Sequence, residues 1–171
     1  MLKLAGAILV LLSGTLIGFR QAARYADRTA QIRQLLHALQ RLETEIGFGH
    51  TPLPEALERA AAGAAGPVAS LFRRTAERLR EGGAAVRDAL RAAVDEGWSL
   101  TAMREPERSA VIRLGDALGI SDREDQIRHL RLAAALLQAE EAEARDEQAR
   151  YGKMWRSLGF MAALLVVILM L

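Results

Sequence analysis

The sequence predicts an all-α protein: an antiparallel helical bundle of about six helices on a long-helix hairpin, with N- and C-terminal membrane helices. The 171-residue chain is 51% hydrophobic but only 5% aromatic, and its abundant Ala, Leu, Arg and Glu favour helices over sheets. Apolar residues recur at helical spacing between Gly- and Pro-marked breaks, and no alternating strand pattern occurs. Uncharged apolar runs occupy both ends of the chain.

The composition also excludes several classes of functional site. The absence of cysteine excludes disulfides, iron–sulfur clusters and cysteine-ligated zinc. A net charge of +2 gives no overall signal for binding a polyanion, so no nucleic-acid partner is predicted. Phosphate-binding loops, nucleophile elbows and zinc-protease motifs do not occur. The sequence therefore predicts a protein that is not an enzyme and needs no cofactor.

An uncharged run at residues 4–19 predicts an N-terminal membrane helix over residues 1–19. The run gives about 24 Å of helix, and with the first residues it approaches the ~20 residues that a span needs. A signal peptide is the alternative, but that class carries its basic residues before the apolar run. Here Lys3 precedes the run, and a stronger basic cluster follows it: Arg20, Arg24 and Arg28.

The C-terminal end repeats this pattern in reverse. Residues 158–171 are all apolar and give about 21 Å of helix, short of a ~30 Å hydrocarbon core. Trp155 is a candidate interfacial anchor, so the predicted membrane helix covers residues 154–171. A buried core helix is the alternative, disfavoured because this end has no polar face. Since basic residues flank both runs on the inner side, residues 20–153 are predicted to be cytoplasmic.

Small residues predict how the two membrane helices pack. Gly14 and Gly18 form a G-x-x-x-G motif, and Gly159 with Ala163 repeats the small-residue spacing. Such motifs let helix backbones approach closely. Because the two pairs have matching depth, we expect them to pack within one chain, with homodimerisation through Gly14 and Gly18 as the rival interpretation.

The boundaries of the central helices are marked by glycine, proline and capping residues. The first helix continues from the membrane to residue 46, with an inward seam of Ile32, Leu35, Leu39, Leu42 and Ile46. Thr51 is the expected N-cap of a second helix ending at Ala62. Further helices are expected from Pro67, around residues 86–97 and from Pro106. Ser121 and Glu124 form a capping box, so the sixth helix should run over residues 122–151.

The two long helices are expected to pair antiparallel, because both meet the membrane. Facing residues then have numbers adding up to about 176 at equal rise per residue. This register places Leu39 opposite Leu137, and Tyr25 opposite Tyr151. It also sets oppositely charged residues level with one another, namely Arg24, Arg28 and Arg33 with Asp146, Glu147 and Glu143.

Two clusters near the start of the sixth helix are candidate sites. Asp125 and His129 lie four residues apart and would give two metal ligands, but a third is missing, so no metal site is predicted. The second candidate is a partner-binding surface at the expected distal end of the hairpin. It comprises Asp122, Arg123, Asp125 and Gln126.

Several blocks resemble the stage III sporulation protein AB family. The most specific runs from Leu114-Gly115-Asp116 to Ser121-Asp122-Arg123-Glu124-Asp125-Gln126-Ile127. Thr51-Pro52-Leu53-Pro54 and the closing Tyr151-Gly152-Lys153-Met154-Trp155 are similar to it as well. The resemblance covers nearly the whole chain and is weakest over residues 63–105.

This resemblance implies more than the residue patterns do. The family looks similar to one half of the type II secretion F-domain, an inner-membrane platform. It implies a platform role in a channel between mother cell and forespore, in the mother-cell membrane around the forespore. Expected partners are a stage III sporulation protein AA-type ATPase, other membrane proteins of the sporulation channel and the lipid bilayer, with self-association left open. The alternatives are a membrane-tethered coiled-coil spacer or regulator without a motor, or a tethered metal enzyme using Asp125 and His129.

Overall fold

The computed structural model describes residues 2–49, 51–119 and 122–170, without the side chains of residues 2–11, 14, 156, 159, 160, 163, 167, 169 and 170. Over these ranges the chain is helical and has no strand, which confirms the all-α prediction. The helices are α1 (Leu2–Phe48), α2 (Leu53–Ala62), α3 (Gly66–Glu81), α4 (Val86–Gly97), α5 (Glu105–Ala117) and α6 (Arg123–Met170). A 3₁₀ turn, Trp98–Leu100, follows α4.

The chain divides into two compact units. The terminal unit contains Met1–Thr29 and Glu143–Leu171, and the bundle unit contains Ala30–Ala142. Among the residues with described placement, no helix combines the length and the apolar character needed to cross a membrane. The predicted spans over residues 1–19 and 154–171 therefore stay predictions.

The core of the bundle unit forms around the apolar seam of α1. Leu35, Leu39 and Leu42 are at most 2% exposed, as their three- and four-residue spacing predicts. Around them lie large side chains from the four shorter helices: Leu57, Phe72, Leu90, Val111 and Leu114. The space left between these side chains is only about 20 Å³, so the core is closely packed.

Two glutamines of α1 attach loops of the bundle unit to that helix. The side-chain oxygen of Gln34 accepts a hydrogen bond from the Ala65 N–H at 3.0 Å, just before α3. The side-chain oxygen of Gln31 accepts one from the Ala102 N–H at 2.8 Å, just before α5. Because loop N–H groups near a core need partners, these bonds fix where α3 and α5 begin.

The starts of α2 and α5 involve contacts that the sequence did not predict. Thr51 does not cap α2, because the residue flanking the helix is Pro52, which has no capping side chain. The Thr51 hydroxyl instead donates to Oε2 of Glu45 at 2.9 Å. At α5, Glu107 reaches back and accepts a hydrogen bond from the Arg104 N–H at 2.8 Å, the half of a capping box that a glutamate supplies.

Glycines shape the join between α4 and α5. A Cβ added at Gly115 would lie 2.7 Å from Cδ2 of Leu90, so glycine permits close contact between the helices. Gly119 has a φ of +88°, the left-handed conformation that commonly follows a helix end. In the most specific sequence block, glycine at position 115 is thus explained by helix packing, and glycine at position 119 by its backbone conformation.

In the terminal unit, α1 and α6 pair as the predicted register requires. The rings of Tyr25 and Tyr151 stack with centroids 5.9 Å apart, and these are the two tyrosines expected to face each other. One turn further along α1, Nη1 of Arg28 lies 3.1 Å from Oε2 of Glu147. Arg28 is only 3% exposed, so its charge is placed against a carboxylate rather than against water.

In the bundle unit, the same antiparallel pairing is displaced by two residues. Nε of Arg33 lies 2.7 Å from Oε1 of Glu141, not beside Glu143 as predicted. Arg131 lies 2.7 Å from Glu43 in a second ion pair between α1 and α6. The displacement is about 3 Å along a helix, which a flexible arginine side chain spans easily. The antiparallel direction is confirmed, whereas the predicted partner of Arg33 is wrong.

The small-residue packing prediction concerns the terminal unit. Gly18 is buried there. The surroundings of Gly14, Gly159 and Ala163 lie outside the described part of the structure. Packing of these residues against one another stays a prediction.

Candidate partner-docking surface

The start of α6 is fixed by Asp122. Its Oδ1 accepts a hydrogen bond from the Asp125 N–H at 2.8 Å, the interaction of an N-cap with the third helical residue. Asp122 is therefore explained as a cap, and α6 begins at Arg123, one residue later than predicted. Ser121, the predicted cap, lies outside the described residues, and Glu124 is exposed in the first turn.

Asp125 is also engaged locally. Its carboxylate contacts the guanidinium of Arg128, one turn along α6. An exposed pair at this spacing contributes little to stability, but it turns the carboxylate toward its own helix. Of the four predicted partner-binding residues, Asp122 and Asp125 thus have roles in their own helix.

The other two predicted residues, Arg123 and Gln126, line a surface groove of about 290 Å³. The groove lies where the end of α1, the loop before α2 and the start of α6 come together. Its remaining lining residues are Ile46, Thr51 and Leu53. The structure therefore brings half of the predicted surface together with apolar residues from two other helices.

Phe48, two residues after the groove residue Ile46 in the chain, is absent from the site residues predicted from the sequence. Phe48 ends α1 two residues after Ile46 and is 87% exposed. Large aromatic side chains exposed to this extent are candidates for partner contacts. The available signal was Gly47-Phe48-Gly49, an aromatic residue between glycines that has no place in the apolar seam of α1.

The groove is lined by polar and apolar side chains from α1, the loop before α2, the start of α2 and the start of α6. The part of the chain with described placement contains no group of three or more His, Cys, Asp or Glu that would hold a metal ion. The groove offers one cation, one amide and apolar walls. These groups suit the reversible binding of a protein segment that carries acidic and apolar side chains.

Together, these observations define an all-α helical-bundle protein with two long helices and a surface groove where α1 ends and α6 begins. The chain belongs to the stage III sporulation protein AB family, whose family model matches residues 3–171. This result confirms the resemblance seen in the sequence.

One relative and one solved structure show what this chain is similar to. Stage III sporulation protein AB of Bacillus subtilis (strain 168) is 40% identical over 171 residues, which covers 100% of both chains. A solved structure of stage III sporulation protein AB (SpoIIIAB) is 37% identical, with a TM-score of 0.69. The match covers 72% of this chain and 98% of the solved one.

Proposed function

We propose that this protein is a membrane-held platform or scaffold component of a secretion-like sporulation channel between mother cell and forespore. In this role it couples a cytoplasmic motor ATPase, of the stage III sporulation protein AA type, to other membrane proteins of the channel. The proposal gives the chain no catalytic step. Membership of the stage III sporulation protein AB family supports the sporulation part of the role.

Exposed apolar side chains of the terminal unit support the membrane part of the proposal. On α1, Leu16 and Ile17 are 62% and 66% exposed. On α6, Met161, Leu165 and Ile168 are 64%, 60% and 65% exposed. Clusters of this kind are unfavourable in water and mark lipid or protein contacts. We therefore place residues 1–19 and 154–171 in the membrane around the forespore, and residues 20–153 in the mother-cell cytoplasm.

The groove lined by Ile46, Leu53 and Arg123 is the observation that carries the motor-docking part. Arg123 supplies a cation, while Ile46 and Leu53 supply apolar walls. Phe48, two residues after Ile46 in the chain, is 87% exposed. Arginine and large aromatic side chains are enriched at interface hot spots and interface cores. We assign to this groove a segment of the ATPase that presents an acidic and an apolar side chain.

Binding of the purified ATPase to the full chain in a mild detergent tests this assignment. We expect Phe48→Ser and Arg123→Glu each to weaken binding at least about tenfold, as loss of a hot-spot residue does. Arg73→Glu, on an exposed position of α3 away from the groove, is the matched control and should bind like wild type. Asp125 is left unchanged, because reversing its charge would set two cations side by side at Arg128.

The results separate the proposal from its alternative. If Phe48→Ser and Arg123→Glu bind the ATPase as tightly as wild type and the Arg73→Glu control, the groove is not part of the motor interface. Wild-type protein that binds no ATPase would favour the membrane-tethered coiled-coil spacer or regulator that works without a motor.

A further inference from the structure

Helix α6 has two apolar faces within the bundle unit. Leu130, Ala133 and Leu137 are at most 5% exposed and pack into the bundle. Roughly opposite them, at 100° per residue, lies a second stripe of apolar residues. This outer stripe consists of Leu132, Ala135, Leu136 and Ala139, all exposed.

The outer stripe is more than scattered surface hydrophobicity. Leu132 and Leu136 are 57% and 43% exposed and lie one turn apart, with the alanines filling the positions between and after them. Single exposed leucines are ordinary, but a contiguous stripe at helical spacing is the pattern of a helix with a second packing partner.

We infer that this stripe binds the same stripe of a second copy of the chain, antiparallel, about a two-fold axis near residues 135 and 136. In this register Leu132 faces the second copy's Ala139, and Ala135 faces its Leu136. Each large side chain thus meets a small one, which lets two helices approach to the ~8 Å end of the usual packing range. A two-fold interface requires this self-complementarity.

The charges at the two ends of the stripe agree with the antiparallel direction. Arg128, whose side chain is 75% exposed, lies one turn before Leu132, and Glu143, also exposed, lies one turn after Ala139. An antiparallel pair brings the arginine of each copy toward the glutamate of the other. A parallel pair would set like charges level with each other, which is unfavourable.

The size of the stripe limits the expected affinity of the dimer. The contact spans about two helical turns on each copy, ~11 Å, so it buries less than the ~800 Å² per partner of a standard interface. We therefore expect a weak dimer that forms at high protein concentration, rather than an obligate one. This self-association does not depend on a motor partner.

Cysteine crosslinking tests the register, because the chain has no native cysteine. We use the full chain in a mild detergent, with Leu132→Cys and Ala139→Cys made as separate variants. Oxidising a mixture of the two should give a disulfide-linked dimer, and oxidising either variant alone should not. Equal positions lie about 10 Å apart along the helix axes in this register, beyond the ~7 Å reach of a disulfide.

A second measurement removes the apolar contact. The double variant Leu132→Gln and Leu136→Gln should raise the dimer dissociation constant at least tenfold in sedimentation experiments, with unchanged helicity by circular dichroism. Leu100→Gln, at a leucine that is 67% exposed elsewhere in the bundle unit, is the control and should leave the dimer intact.

Three results would overturn the inference. Crosslinking of each single-cysteine variant with itself would show a parallel pair. A dimer that survives the double glutamine substitution would place the interface elsewhere. Monomeric protein at high concentration without any crosslink would assign the stripe to lipid or to a different protein.

Discussion

The ion pair between Glu58 on α2 and Arg80 on α3 ties two neighbouring helices together at the scale of single side chains. The two groups form a bidentate contact, in which Nη2 of Arg80 lies 2.8 Å from Oε2 of Glu58. The hydrogen bond from Arg80, opposed in part by desolvation, lowers the pKa of the Glu58 carboxyl below 4.5. Because this pKa is lower in the folded state, the stabilisation is present above pH 4.5 and is lost as the pH falls through the folded value.

The charge of Glu58 is therefore expected to add to the acid sensitivity of the fold. The melting temperature of wild type should drop more steeply below pH 4.5 than that of Glu58→Gln, as measured by circular dichroism. The difference should shrink at about 1 M salt, since exposed pairs are screened. Glu81→Gln at the exposed end of α3 is the control. If both variants follow the wild-type curve, the ion pair contributes nothing measurable.

Truncating a buried leucine of the α1 seam is expected to change stability more than removing this exposed ion pair. Leu39 is 2% exposed in the bundle core, so Leu39→Ala should lower the free energy of unfolding by roughly 2–5 kcal/mol through lost contacts and a new cavity. Urea denaturation measures this change. Leu100→Ala, at the exposed 3₁₀ turn, should stay within about 0.5 kcal/mol of wild type. An unchanged midpoint for Leu39→Ala would contradict the placement of the seam.

Single-residue roles were the hardest part of the structure to predict. A threonine before a proline looks like a cap, yet Thr51 stands one residue too early and its hydroxyl turns to Glu45. Asp122 and Ser121 are both good capping types, and only the hydrogen bond to the Asp125 N–H identifies Asp122 as a cap. Such choices depend on fractions of a kcal/mol and on tertiary contacts that a local pattern does not contain.

Helices and their pairing were more predictable, because apolar spacing acts over many residues. The seam from Ile32 to Ile46 is buried throughout, and Tyr25 meets Tyr151 as the register requires. The Arg33–Glu141 pair shows the limit of that arithmetic. A register counted from two membrane entry points assumes equal rise and straight helices, and a small departure moves a partner by two positions.

Double-cysteine variants test the pairing of α1 and α6 within one chain. Leu39 and Leu137 are both buried, at 2% and 0% exposure. Replacing both with cysteine should therefore give an intramolecular disulfide, provided that the Cα atoms lie within ~7 Å. The control joins Leu39→Cys with Ala142→Cys, since Ala142 is exposed on α6 and lies more than a turn beyond Leu137. Mass spectrometry of the oxidised proteins distinguishes the two results, and a crosslink in the control alone would refute this pairing.

At the scale of the whole molecule, the family was recognisable from sequence blocks, whereas the groove was not. Arg123 and Gln126 belong to a specific block, but Ile46 and Leu53 come from distant parts of the chain. Only the fold brings them together. Phe48 was overlooked because a glycine-flanked aromatic residue belongs to no periodic pattern, and its 87% exposure is a property of the folded chain.

The predicted topology is tested by labelling one cysteine in intact cells. Basic residues flank both apolar ends on the side of the central domain, so residues 20–153 should face the cytoplasm. Ala62, exposed at the end of α2, is a suitable position, because the chain has no other cysteine. Ala62→Cys should resist a membrane-impermeant thiol reagent in intact cells and react rapidly after lysis. The reaction in lysed cells is the control for accessibility, and rapid labelling before lysis would reverse the orientation assigned to the whole domain.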